Sequence, residues 1–461
     1  MKRRDFLLNA LAAGALGAGI SPLLPARARA ATPPGRVLVN VMLAGGPDLR
    51  HLLPPAFNPD PASFGYRFWQ AKAAAHAIGD TPAAWQARWD SDYFHESFGG
   101  TGFGIRSSCG WLRQFWEDGH VAIIANAVGA RTRDHAHCIM VLDQGNVTSG
   151  PLDFQRPGWG GRLAKAAGGN VLALTTSPRP FCFSPDPADP EHHLTDALIA
   201  APDMRDLALF APAPGSSPLA SQARIARSLS SYYAAKRGDL SRESIYYRFV
   251  DMERKLREFG EPIAARLAAT PVPPAIAALS QGGLTDPGFA LQIRNVHDAL
   301  ACGDILNLAV SSLEYNGWDS HRNQVALIER KLADLFGTGK AFDALYQSLS
   351  PAAAASLVIV IAGEFGRQLR ANGDGGTDHG EGNDMLVIGK RVRGGVYGSL
   401  FPEAELARLG DPSPQVEGLT EIDHIFGAVS DWVVPGSSLT VFPRRPAARL
   451  EAGVDLSTLF A

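Results

Sequence analysis

An α/β fold with a central, mainly parallel sheet is predicted by three features of the sequence. Short runs of apolar, largely β-branched residues recur, as at 37–43 (VLVNVML), 121–128 (VAIIANAV) and 357–361 (LVIVI); such runs mark strands buried on both faces. Segments of helical period separate these runs, the alternation expected of a sheet covered by helices. Each run also ends in a Gly-rich or polar loop, and in an open parallel sheet ligands bind beyond the carboxyl ends of the strands.

The first 30 residues read as an address. Lys2-Arg3-Arg4-Asp5-Phe6-Leu7-Leu8 sets paired arginines ahead of a Gly/Ala-rich, weakly apolar run to Leu24, and Ala28-Arg29-Ala30 offers a small-x-small cleavage site. The pattern resembles a twin-arginine (Tat) signal peptide, preferred over a Sec signal or an uncleaved anchor. It makes the Tat translocase the expected partner during export, and the periplasm or the extracellular space the expected location. No later apolar run approaches the roughly 18 residues needed to cross a bilayer. Residues 31–461 are therefore expected to form one soluble domain with no stable membrane span.

Along that domain, residues 37–43 form the first core strand, ending in Ala44-Gly45-Gly46-Pro47-Asp48. Residues 52–105, rich in Pro, Trp and Gly without clear period, read as an irregular excursion with a helix near 82–88. A short helix at 111–117 leads into the strand at 121–128, and Ile139, Met140 and Leu142 mark a helix before Gly145. Residues 170–175 (NVLALT) read as another strand. From about 203 to 285, Ala, Arg, Leu, Ser and Glu in helical pattern predict an inserted or peripheral helical region. Helix is expected over 293–308, strand over 309–315 and helix again from Asn323. Strands at 357–361 and 385–388 and an amphipathic helix at 422–433 complete the elements.

Charge and composition remove several function classes. The chain of 461 residues carries 43 Lys+Arg against 46 Asp+Glu, a net charge of −3, which leaves no electrostatic footprint for nucleic acid or an anionic membrane. Cys109, Cys138, Cys182 and Cys302 contain no CxxC pair, against a zinc ribbon or a thioredoxin-type site. They read either as disulfides in one of three pairings or as buried free thiols. Neither a GxSxG elbow nor a P-loop lysine motif occurs, against a Ser-His-Asp hydrolase and an ATPase. His192-His193, in a Pro/Asp-rich loop, reads as an exposed pair.

Four predicted strand ends carry polar groups: Asp48; Asp134, His135 and His137; Asp319 and His321; and Glu364, with Asp378 and His379 in the loop that follows. Carboxylates and imidazoles are ligands for zinc, manganese, calcium or magnesium in different mixtures. Two such ions about 4 Å apart polarise a phosphoryl or sulfuryl group and activate the attacking oxygen. Any one cluster has a plainer reading, Asp48 as a cap or turn residue and Asp319 with His321 as a turn and a surface histidine. Several together at the ends of buried strands favour a site.

Four blocks carry a family resemblance: VMLAGGPD (41–48), GARTRDHAHCIMVLDQGN (129–146), NGWDSHRNQ (316–324) and GEFGRQLRANGDGGTDHGEGN (363–383) with its RGGVYG sequel. In these the chain resembles the Tat-exported domain-of-unknown-function 1501 family (DUF1501), of the alkaline-phosphatase-like or sulfatase-like superfamily. The resemblance implies a three-layer sandwich with a helical insertion, and divalent metals around a Ser, Thr or formylglycine nucleophile. Asp48 matches the superfamily's first-strand metal aspartate, Asp319 and His321 resemble its middle pair, Glu364 falls where it has an Asp-His pair, and His379 matches a late metal histidine. Phe365 stands where a histidine ligand is usual, and Asp134 where the family block commonly has serine, which makes Thr132 the fallback nucleophile.

The expected function is metal-dependent hydrolysis of small anionic phosphate or sulfate esters. Asp48, Asp319, His321, Glu364, Asp378, His379 and His135 are the candidate ligands, and Asp134 or Thr132 stands at the nucleophile position. Asp134 could equally serve as a ligand or a base. Arg133 or Arg367 would hold the anion through a bidentate pair. The second reading is a non-catalytic exported binding or assembly protein that keeps the fold and a structural metal.

Overall fold

The computed structural model describes residues 35–145, 153–175, 177–208, 221–241 and 244–461; the signal-peptide reading falls outside them. The strands are β1 (Val37–Ala44), β2 (Tyr93–Phe98), β3 (Thr101–Arg106), β4 (Val121–Val128), β5 (Asn170–Ala173), β6 (Ser184–Pro185), β7 (His193–Leu194), β8 (Leu198–Ala200), β9 (Leu308–Asn316), β10 (Leu357–Ala362), β11 (Asn383–Ile388), β12 (Gly395–Tyr397) and β13 (Thr420–Glu421). The central sheet runs β12-β4-β11-β10-β1-β9-β5-β8, with β13 also on β4. Its pairings are parallel except those of β11, which is antiparallel to β10 and to β4.

Alternation along the strands explains why the sheet is buried twice. In β1, Val37, Val39, Val41 and Leu43 face a core shared with helices Pro287–Ala301 and Gln324–Phe336. Leu38 and Met42 face a second core, shared with helices His135–Gln144, Trp159–Ala166 and Ile422–Val433. Side chains of a strand point to alternate faces, so an uninterrupted apolar run requires covering layers on both sides. The result is an α/β fold with helices flanking a mixed, mostly parallel sheet.

Residues 52–105 are more regular than their composition suggests. Helices Phe64–Lys72 and Pro82–Asp92 precede the antiparallel hairpin β2–β3. Gly99 and Gly100, at φ 57° and 85°, make its two-residue turn, the positive-φ pair such hairpins need. Phe68, Trp69, Trp85, Trp89 and Tyr93 form a third core there; packing of large rings, rather than a repeating pattern, orders the region. The expected helix over 293–308 also breaks, ending at Ala301 before a short turn Gly303–Leu306 and β9.

Between 203 and 285 the chain contains helices Ser221–Asp239 and Ile245–Ala269, which meet through an Arg237–Asp251 ion pair of 2.6 Å. The second helix reaches the main core through Ile263. All four cysteines are buried free thiols. Of the histidine pair expected to be exposed, His192 is and His193 is buried, its Nδ1 2.8 Å from the Gln155 carbonyl. No single helix among the described residues is long and apolar enough to cross a membrane.

Candidate functional site

The antiparallel course of β11 positions the site. Because β10 runs toward the carboxyl edge of the parallel strands and β11 runs back, the whole 363–382 loop stays at that edge. β1 and β9 end level there, Ala44 opposite Asn316, and the Trp318 N–H donates to the Ala44 carbonyl at 3.0 Å. Gly45 and Gly46 follow at φ 119° and 68°. A Cβ on Gly45 would lie 2.4 Å from the Asp319 nitrogen, and one on Gly46 2.2 Å from the Phe365 ring. Only glycine lets the β1 turn approach both loops this closely.

Three histidines surround Asp319 with a common orientation. His135 Nδ1 lies 2.8 Å from Glu364 Oε1, His379 Nδ1 3.1 Å from the Arg133 carbonyl oxygen, and His321 Nδ1 3.0 Å from Asp378 Oδ1. A carbonyl or an ionised carboxylate only accepts, so these contacts assign the imidazole proton to Nδ1 in each ring. That leaves the Nε2 lone pairs facing inward. His379 Nε2 is 3.2 Å and His321 Nε2 3.1 Å from Asp319 Oδ1, the two Nε2 atoms are 3.0 Å apart, and His135 Nε2 is 3.8 Å from Asp319 Oδ2. Facing lone pairs at such distances repel unless a cation or a proton lies among them.

Ligand atoms of His135, Asp319 and His379 all lie within 4.8 Å of one another. This donor set fits a divalent cation. Histidine nitrogens with a carboxylate are typical zinc ligands, and a ligating imidazole whose other nitrogen donates to a carbonyl or carboxylate is the usual supporting arrangement. Burial raises the Asp319 carboxyl, but the hydrogen bond and charge of Arg367, with His379 and His321, outweigh it and hold the group below its ordinary value. Burial and the nearby Arg367 charge keep His379 below the usual imidazole value, which favours the neutral, coordinating form.

The other predicted residues are distributed unequally. Glu364 is buried and accepts from the Gly45 N–H at 2.9 Å as well as from His135, so it supports the cluster from behind. Phe365 packs against His135 and His379, with ring centroids 4.8 and 4.5 Å away, occupying the volume a further ligand would need. Arg367, expected as a candidate anion clamp, is buried instead. It donates to the carbonyls of Gly45, Gly46 and Thr377 and lies 2.5 Å from Asp319 Oδ1. Asp134, expected at the nucleophile position, caps helix His135–Gln144 by accepting from the His137 N–H at 2.8 Å. Thr132 is exposed, its hydroxyl 3.4 Å from Cys138 Sγ. Arg133 adopts φ 63°, a strained value for a non-glycine residue that often marks functional loops. Its guanidinium has no partner among the described residues.

Asp48 lies outside the cluster. Its carboxylate is 2.5 Å from Lys72 Nζ and 2.8 Å from Gln324 Nε2, and it makes no side-chain cap on the helix that follows. Burial raises it, yet the Lys72 charge brings it below its ordinary value. Lys72 and Gln324 were not sequence candidates: Lys72 belongs to the segment read as irregular, and a glutamine inside a helix gives no signal of its own.

No curated protein matches the chain. A solved structure from work on the metabolism of multiple glycosaminoglycans by Bacteroides thetaiotaomicron aligns with 88% of this chain and 74% of that chain at 12% identity and a TM-score of 0.30, a likeness too weak to carry an argument. The family model described as "Protein of unknown function (DUF1501)" matches residues 307–427, the span of β9 to β13 that holds Asp319, His321, Glu364 and His379, and it supports that family for this chain.

Proposed function

We propose that this chain is an exported, metal-dependent hydrolase of phosphate or sulfate esters, with an alkaline-phosphatase-like fold and delivery to the periplasm or beyond by the Tat translocase. One observation carries the reading: the inward-facing Nε2 atoms of His135, His321 and His379 around Asp319, each with its Nδ1 engaged from behind. His135, Asp319 and His379 would hold the metal, with His321 beside them. A divalent ion bound there would act as a Lewis acid toward an ester oxygen.

The remaining residues have separate tasks. Glu364 orients His135, and the Arg133 carbonyl orients His379. Arg367 neutralises Asp319 and ties three loops together. The guanidinium of Arg133 is the better candidate for the anionic ester, since Arg367 is buried and bound to Asp319 and three carbonyls. Thr132 is the better candidate nucleophile, since the Asp134 carboxylate is occupied as a cap.

The test begins with elemental analysis of the purified protein. A stoichiometric divalent metal is expected, lost in both Asp319→Ala and His379→Ala; retention in both variants defeats the ligand set. Phosphate monoesters, phosphodiesters and sulfate esters then address the chemistry, with Arg133→Gln and Thr132→Ala expected to lose turnover while keeping the metal. Metal without turnover of any ester would favour a binding or assembly role. Export is separate: Arg3→Lys with Arg4→Lys should trap the precursor inside the cell.

A further inference from the structure

Beside the histidine cluster, across Asn372, lies a cleft of about 530 Å³. Helix Phe64–Lys72 lends it Arg67 and Gln70, and the loop after β10 lends it Arg370 and Asn372. Ile78 adds an apolar wall, and exposed Asp80 a single acidic group against the two guanidiniums. Arg370 is steadied by donating to the Leu409 carbonyl at 3.1 Å. The Arg67 guanidinium has no hydrogen bond or ion pair among the described residues. Asn372 is common to both places. Its amide donates to the His321 carbonyl at 2.9 Å and to Asp378 Oδ1 at 3.1 Å, and its own carbonyl accepts from the N–H groups of Asp374 and Gly376. The wall of the cleft therefore fixes the loop that carries His379.

Two guanidiniums brought to one cleft by separate elements form a receptor for planar or tetrahedral oxyanions, which take parallel N–H···O bonds. We propose that this cleft binds an anionic group, sulfate, phosphate or carboxylate, of a ligand whose other end reaches the histidine cluster. The substrate then carries at least two anionic groups, one at the reacting centre and one held by Arg67 and Arg370. The reacting end rests on the ester-hydrolase reading; the anion site does not.

Calorimetric titration of the full chain with inorganic sulfate, repeated with inorganic phosphate, tests the cleft. Arg67→Gln should weaken binding by about tenfold, the size expected for one charge-assisted hydrogen bond, and Arg370→Gln likewise, with the metal content of both variants equal to that of wild type. Should Arg370→Gln fail to fold, Arg67→Gln decides alone. Equal affinity in Arg67→Gln and wild type, or no binding by wild type, overturns the proposal. Sulfate binding that depends on Arg67 in a protein that takes up no metal would sustain the cleft and defeat the metal reading alone.

Discussion

Two polar regions rich in histidine and acid sit near the carboxyl edge of the sheet, and they differ in where their positive charge comes from. In the inner one, Asp48 pairs with Lys72, and Glu329 lies 3.1 Å from His51 Nε2 and 2.9 Å from Arg106, with Arg88 also bonded. The protein supplies the cations there: although burial raises it, Glu329 is pushed down to about 2 by His51, Arg106 and Arg88. In the outer one, three imidazoles turn lone pairs toward Asp319, and among the described residues Arg367 is the one Lys or Arg that reaches it. A closed network of acids and bases is scaffold; an acceptor cluster short of cations is a site.

The largest expected effect breaks the scaffold. Lys72→Met leaves the buried Asp48 carboxylate without its counter-charge, and removing one partner of a buried pair typically costs about 3–5 kcal/mol. His321→Ala removes a half-exposed ring from the outer cluster, and a surface change of that kind shifts stability by less than about 1 kcal/mol. Denaturant unfolding of both variants measures the contrast. Similar losses in the two would mean that the outer cluster is scaffold as well.

A middle-sized effect sharpens the comparison at Glu364, which touches the cluster only through His135 and the Gly45 turn. As a positioning residue it should behave like other groups that orient metal ligands, whose loss lowers metal affinity about 10–100-fold. Glu364→Ala should show that loss in a metal-competition titration, and Glu364→Gln, which still accepts from His135, should recover part of it. Unchanged affinity in Glu364→Ala would leave His135 outside the ligand set.

The contrast also explains how much the sequence reveals. The buried strands announce themselves because β1, β4 and β10 are apolar on both faces, and helix Ile422–Val433 shows its period plainly. Strand direction has no local signature, so the reversal of β11 is invisible although it decides where the 363–382 loop lies. Asp48, Asp319 and His379 look equivalent as polar residues at strand ends. Only the fold separates them, because the cation that takes Asp48 out of the site is Lys72, from a helix within a stretch whose order comes from packed aromatic rings. Gly99-Gly100 between two β-rich runs was the local signal for hairpin β2–β3.

The smallest effect concerns an intermediate case. Asp423 opens helix Ile422–Val433 fully buried, and neither carboxylate oxygen has a hydrogen-bond partner. Burial pushes its carboxyl up to about 7 against the opposing charge of Arg162. Since the folded value lies above the unfolded one, the native state holds the extra proton between about pH 4 and 7, and stability is lost as pH rises through that window. Asp423→Asn resembles the protonated acid and cannot ionise. It should match wild type near pH 4 and exceed it by on the order of 1 kcal/mol near pH 8, the scale of a buried group left unsatisfied. Thermal unfolding at the two pH values measures the difference, and a gap independent of pH would mean that Asp423 remains charged in the fold, compensated as Asp48 is.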